Sequence, residues 1–200
     1  MTRGWPAYLT AGPVGLRPPR RRDARAWSEL RTRNQAWLAP WEPTSPGERA
    51  VPLAYGALLR RWRQEARSGA SLPFVLTYDD RLAGQVTVAN ITYGALRGAH
   101  VGYWVDEQVA GRGVMPTALA LAIDHCFTAV GLHRIEVNIR PENRASRRVV
   151  EKLGLRQEGV RERFLHIDGA WRDHLSYVVT AEEVPEGVLT RWTGIDRSLQ

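Results

Sequence analysis

Cysteine occurs once in the 200 residues, at Cys126, and lysine once, at Lys152. A single thiol excludes an internal disulfide and fits a reducing, cytoplasmic compartment. No apolar run approaches the roughly 20 residues of a membrane-spanning helix. The opening MTRGWPAYLT lacks the apolar centre of a secretory leader. The histidines show no His-x-x-x-His spacing, so no metal is expected. With no internal repeat and no low-complexity linker, one domain is expected: an arm over residues 1–13, a folded unit over 14–180 and an extension over 181–200.

Cationic charge is plentiful. Lys and Arg number 28 against 21 Asp and Glu, a net +7, and all but Lys152 are arginine. Such a field attracts anions. A GC-rich genome produces the same arginine bias, so no specific nucleic acid is expected. A hydrophobic share of 44% with eight tryptophans supplies a sizeable core.

Val14 to Pro18 reads as a first strand. Arg20-Arg21-Arg22 reads as a solvated turn, and Asp23 as the N-cap of a helix over Ala24 to Asn34. Prolines 40, 43 and 46 prevent a long helix through Gln35 to Pro46. In that stretch Trp37 and Trp41 either plug the core or face a substrate, with Glu42 beside them. A second helix is expected over Gly47 to Ser68. Strands over Leu72 to Tyr78, Leu82 to Tyr93 and up to Val105 come next, with a hairpin turn at Asp79-Asp80. His133 to Arg140 is a further strand. Asn143 caps a helix over Arg144 to Leu153 that Gly154 stops. Strands near Arg156–Ile167 and Trp171–Thr180 close on an Asp168-Gly169 turn. The expected fold is α/β (α+β): a mixed, twisted sheet of about seven strands with helices on both faces.

The stretch Val101 to Leu132 organises the rest. A strand ends at Val105, a loop carries Gly111 and Gly113, and a helix follows with Met115, Leu119, Ala122 and Cys126 on its buried face. A glycine loop feeding a helix start presents several backbone N–H groups and the positive end of the helix dipole to one point, which suits a phosphate. Glu107, where strand gives way to loop, is placed to accept a proton directly or through a water. Strand alternation sends Asp106 and Glu107 to opposite faces, so only one of them serves. Ser146, facing inward among Val149, Val150 and Leu153, needs a hydrogen-bond partner. Cys126 reads as a core residue and not a nucleophile.

Gln108-x-x-Gly111-x-Gly113 resembles the pyrophosphate loop of the GNAT acetyltransferases, which bind acetyl-coenzyme A. The run Gly102-Tyr103-Trp104-Val105-Asp106-Glu107, continuing to Met115, resembles the ribosomal-protein branch of that family, the RimJ/RimL type. The resemblance spans about residues 14–180 and implies the GNAT fold, in which the opening strand and the His133 strand splay apart to admit the pantetheine arm. It implies a cofactor site at Trp104, Val105, Gln108, Gly111, Arg112, Gly113, Val114, Met115, Asn143, Ser146 and Arg148, with the N–H groups from Gln108 to Val114 cradling the pyrophosphate. It also implies Glu107 as general base and a Val105 backbone N–H facing the thioester oxygen. A tyrosine expected at Val150 is absent, and Ser146 takes its place as proton donor to the leaving thiolate. Trp37, Trp41 and Glu42 border the acceptor pocket. The implied activity is direct acetyl transfer to a primary amine, best the N-terminus of a protein or peptide, a ribosomal protein among them. A homodimer is compatible with this reading. A small-molecule or lysine acceptor, a bulkier acyl group, and an idle acyl-CoA-binding or RNA-associated protein are the alternatives.

Overall fold

The computed structural model describes residues 3–47 and 53–197. The chain enters through β1 (Leu9–Ala11) and turns back into β2 (Val14–Arg17). Helices α1 (Ala24–Arg33), α2 (Gln35–Leu38) and α3 (Tyr55–Ser68) precede the meander β3 (Leu72–Tyr78), β4 (Arg81–Thr92) and β5 (Gly98–Val105). Helix α4 (Val114–His125) leads to β6 (Arg134–Ile139). Helix α5 (Arg144–Lys152) then leads to the hairpin β7 (Arg156–Ile167) and β8 (Ala170–Thr180), and α6 (Val188–Arg197) follows. One eight-stranded sheet has the order β1-β2-β3-β4-β5-β6-β8-β7. Every neighbouring pair is antiparallel except β5 with β6.

Local signals held where turn chemistry is strong. Asp79 and Asp80 take φ of 47° and 61°, and Asp168 and Gly169 take 51° and 73°, the left-handed pairs that two-residue hairpins require. The expected count of about seven strands misses β1. Within the stretch read as an arm, Trp5 packs edge-on to Phe74 at 5.1 Å, and His125 Nε2 lies 2.7 Å from the Gly4 carbonyl. Asp23 does not cap α1 with its side chain. It is buried, and its carboxylate accepts from the Arg20 amide at 2.7 Å and from Arg17 at 2.8 Å. The expected helix from Gly47 begins at Tyr55, and 48–52 lie outside the described residues. The prolines limit the preceding stretch to the single turn of α2 and a 3-10 turn, Ala39–Trp41.

Alternation along the strands divides the interior into two layers. On one face Phe74, Val86, Val88, Val101, Ile135 and Val137 pack against α4, of which ten of twelve residues are buried. On the other, Trp27 of α1 meets Trp62 of α3 at 5.2 Å and Trp104 of β5 at 5.3 Å. Among the described residues no helix is long and apolar enough to cross a membrane.

The parallel ladder of β5 with β6 joins Gly98–His100 to Arg134–Glu136 and goes no further. Beyond it the strands part, leaving Val101–Val105 facing Val137–Ile139 across a gap. The strand that splays from the His133 strand is therefore β5. The opening strand β2 is instead fully paired with β3.

Candidate active site

β5 ends at a bracket built from α1. Asp106 is 4% exposed, and its carboxylate accepts from Arg33 and, at 2.8 Å, from Asn34 Nδ2. The Asn34 Oδ1 accepts the Glu107 N–H at 2.9 Å. Asp106 is thus consumed by structure. Glu107 is exposed, and among the described residues its carboxylate has no hydrogen bond or ion pair. Burial pushes the Asp106 carboxyl up, but the bonds from Arg33, Asn34 and the Gln108 amide outweigh it and hold it below its ordinary 3.8. A depressed carboxylate stabilises the fold above its unfolded-state value and loses that contribution as pH falls through the native one. Acidification below about pH 4 is therefore expected to loosen the α1–β5 contact. Near-UV circular dichroism across pH 2–6 (roughly the titration range of carboxylates) checks this. Asp106→Asn should respond less to acid than the parent, and an equal response would contradict the assignment.

The Asp106 N–H reaches Ala83 O on β4 at 2.7 Å. Direction alternates along an antiparallel ladder, so Val105 turns its N–H and C=O towards the gap. The carbonyl accepts the Trp37 indole N–H at 3.2 Å, leaving the Val105 N–H facing the opening. Trp104, expected at the cofactor, turns its ring onto the α1 side of the sheet. Its ring lies against Trp27 and under Arg31, and its indole N–H goes to Gln85 at 3.3 Å. A Cβ on Gly84 would sit 2.2 Å from the Trp104 carbonyl oxygen, so only glycine admits β5 this close.

Not every amide from Gln108 to Val114 is free of an acceptor. The Gln108 amide points to Asp106 Oδ1 at 3.4 Å, Val109 N to Asp106 O at 3.1 Å and Ala110 N to Glu107 O at 3.1 Å. From Gly111 to Met115, no N–H has an acceptor among the described residues until the helix ladder resumes with Thr117 N to Gly113 O at 3.1 Å. Gly111 and Gly113 adopt φ of 79° and 77°, which side-chain-bearing residues rarely tolerate. The Val114 and Met115 side chains are buried in the core, so only their amides face outward. Arg112 is exposed beside them.

Across the gap, Asn143 caps α5 by accepting the Ser146 N–H at 3.0 Å. The Ser146 hydroxyl lies 2.8 Å from the Tyr103 hydroxyl, a partner the sequence did not disclose. Arg148 is exposed, whereas Arg147 is tied to Tyr177 at 3.2 Å and Pro141 at 3.3 Å. Trp37, Trp41 and Glu42 span the ends of both splayed strands. Trp37 holds Val105, Arg140 just past β6 stacks on Trp41 at 5.4 Å and bonds Pro40 O at 2.8 Å, and Glu42 pairs with Arg31. The segment continues onto the β7–β8 tip, where Thr44 N donates to His166 O at 2.8 Å. Cys126 is fully buried in a π-turn, and burial pushes its thiol up to about 12. No metal-binding group of side chains exists among the described residues.

A mixed sheet that parts between two parallel strands, with amides following one of them that have no acceptor among the described residues, defines a GNAT acyltransferase. The Acetyltransferase (GNAT) domain matches residues 14–156, and the chain belongs to that family. It is an N-acetyltransferase with acetyl-CoA as co-substrate. The structure of Mycobacterium smegmatis RimJ in complex with CoA-disulfide superposes with a TM-score of 0.93 at 46% identity, covering 98% of each chain. The Escherichia coli [Ribosomal protein uS5]-alanine N-acetyltransferase is 30% identical over 89% of this chain and 91% of its own length. The structure of ribosomal-protein-S5-alanine acetyltransferase from Vibrio fischeri gives a TM-score of 0.78 at 30% identity over 87% of this chain and 96% of its own.

Proposed function

We propose that this acetyltransferase acts on the α-amino group of a protein N-terminus, by direct transfer in a ternary complex in the cytoplasm. The observation that carries the reading is the run of amides from Gly111 to Met115, without acceptors among the described residues, opening onto the β5–β6 gap, with Glu107 on one side and Ser146 on the other. The acceptor follows the uS5-alanine enzyme of Escherichia coli, similar over most of its length.

Acetyl-CoA supplies an activated acyl group, and the chain's own residues do the rest. The amides of Gly111–Met115 and Arg112 hold the diphosphate, with Arg148 adding charge nearby. A free α-amino group has a pKa of about 8 and is largely protonated at neutral pH. Glu107 removes that proton, directly or through one water. The Val105 N–H faces the carbonyl oxygen as it gains charge. Trp37 and Trp41, half-buried at the open ends of the strands, orient the acceptor. Burial of the Cys126 thiol removes it as a nucleophile, which favours direct transfer.

Ser146 donates a proton to the departing sulfur. Burial pushes the Tyr103 phenol up, with the Ser146 bond pulling the other way, so Tyr103 stays protonated. Either hydroxyl can donate in that bond, and the Tyr103 oxygen also lies 3.3 Å from the Ser146 carbonyl; with the phenol hydrogen on Ser146 Oγ, the serine hydrogen is free for sulfur. Ser146→Ala is expected to lower kcat about 10- to 100-fold with little change in acetyl-CoA binding. Tyr103→Phe should lower it by less, about three- to tenfold. Steady-state kinetics measure both, and an unaltered rate in Ser146→Ala would leave the serine a packing residue.

The acceptor is tested by following coenzyme A release with peptides carrying different N-terminal residues, against free lysine, spermidine and an aminoglycoside. Peptides beginning with a small residue such as alanine should give the highest kcat/KM. A small amine surpassing every peptide would overturn the acceptor.

A further inference from the structure

The C-terminal helix lies outside the family match, which ends at residue 156. It is nevertheless built onto the loop that follows β5. The Asp124 carboxylate of α4 accepts the first amides of α6, Val188 N at 2.6 Å and Leu189 N at 3.0 Å. Arg191 reaches the carbonyls of Leu153 and Gly154 at 3.5 Å, tying the helix to the end of α5. These anchors place Trp192 over the start of α4. Its indole N–H donates to Thr117 Oγ1 at 3.0 Å, and that hydroxyl donates to Gly113 O at 3.0 Å. A Cβ on Gly113 would lie 3.5 Å from the same ring, and the Lys152 ammonium stands 5.6 Å from its centroid.

This relay acts on one peptide plane. The Gly113 carbonyl and the Val114 N–H belong to a single planar trans unit and point in opposite directions. Gly113 stands at the N-cap position with no side chain to fix it. The Gly113 oxygen also accepts the Thr117 N–H at 3.1 Å, so the relay adds a second bond at a glycine whose φ of 77° gives it little steric restraint of its own. Holding its oxygen sets the direction of the Val114 donor.

We propose that Trp192 is a positioning residue for the co-substrate: through Thr117 it fixes the Gly113–Val114 peptide, so that residues 188–197 complete the diphosphate cradle although none of them need touch it. The inference rests on the reading of Gly111–Met115 as that cradle.

The test is calorimetric titration of the full chain with coenzyme A, for the parent, Trp192→Phe and Thr117→Val. Thr117→Val removes the relay hydroxyl while keeping the side-chain shape. Thr193→Ala, on the exposed side of α6, serves as control. Both relay variants should bind coenzyme A about three- to tenfold more weakly, as expected for one lost hydrogen bond. The acceptor KM, the kcat at saturating acetyl-CoA and the Thr193→Ala affinity should stay unchanged. Relay variants that keep parental near-UV circular dichroism and bind within twofold of the parent would overturn the inference, and so would an equal rise in the acceptor KM. Absence of binding by the parent itself would overturn the cradle assignment beneath it.

Discussion

Glu107→Gln is expected to lower kcat/KM for the amine about 10²- to 10⁴-fold near neutral pH, the range for loss of a positioned general base. The loss should shrink as pH rises, because above about pH 8 the amine needs no deprotonation. Two observations set this apart from removal of any nearby charge. Asp106 next to it is locked by Arg33 and Asn34, and Glu107 is exposed with no partner for its carboxylate among the described residues. Gln keeps the size and the Glu107 N–H bond to Asn34, so the backbone should hold its place. Rates measured from pH 6.5 to 9.5 (about 1.5 units either side of the amine pKa) decide the matter. A parent-to-variant ratio that stays flat across that range would remove Glu107 as the base.

Asn34→Ala should act on both stability and turnover. Asn34 is 1% exposed, and its one amide group donates to Leu30 O and Asp106 and accepts from Glu107 N. Alanine would leave a buried carboxylate short of a donor and a backbone N–H without an acceptor, at roughly 1–3 kcal/mol each. For a chain of this size that lowers Tm by roughly 5–15 °C. The bracket also sets where β5 stops and Glu107 begins, so kcat should fall at least about tenfold while coenzyme A still binds, the Gly111–Met115 amides lying beyond the bracket. Thermal melts, calorimetry and kinetics on one preparation separate these effects. Parental turnover in the folded variant would show that α1 does not position the Glu107 carboxylate for the reaction.

What the sequence disclosed was local, and what it hid was distant. The left-handed turns at Asp79-Asp80 and Asp168-Gly169, the Asn143 cap and the two loop glycines each express a constraint a few residues long. Asn34 meets Asp106 across 72 positions, Tyr103 meets Ser146 across 43 and Trp192 meets Thr117 across 75. Nothing in the composition near those residues signals such pairings. Alternation showed that Asp106 and Glu107 part company, but not which one turns inward, because the phase of β5 is set by α1. The same missing phase hid that the Trp104 ring faces Trp27. β1 escaped because three residues between Tyr8 and a Gly12-Pro13 turn carry too little pattern to read as a strand.

Amide hydrogen exchange with and without coenzyme A tests the central claim most directly. Added coenzyme A should slow exchange at Gly111–Met115, Pro116 having no amide, and leave the β4–β5 tip at Gly94–Gly98 unchanged. Protection confined to other segments, with the 111–115 amides exchanging as fast as in the free protein, would contradict the account.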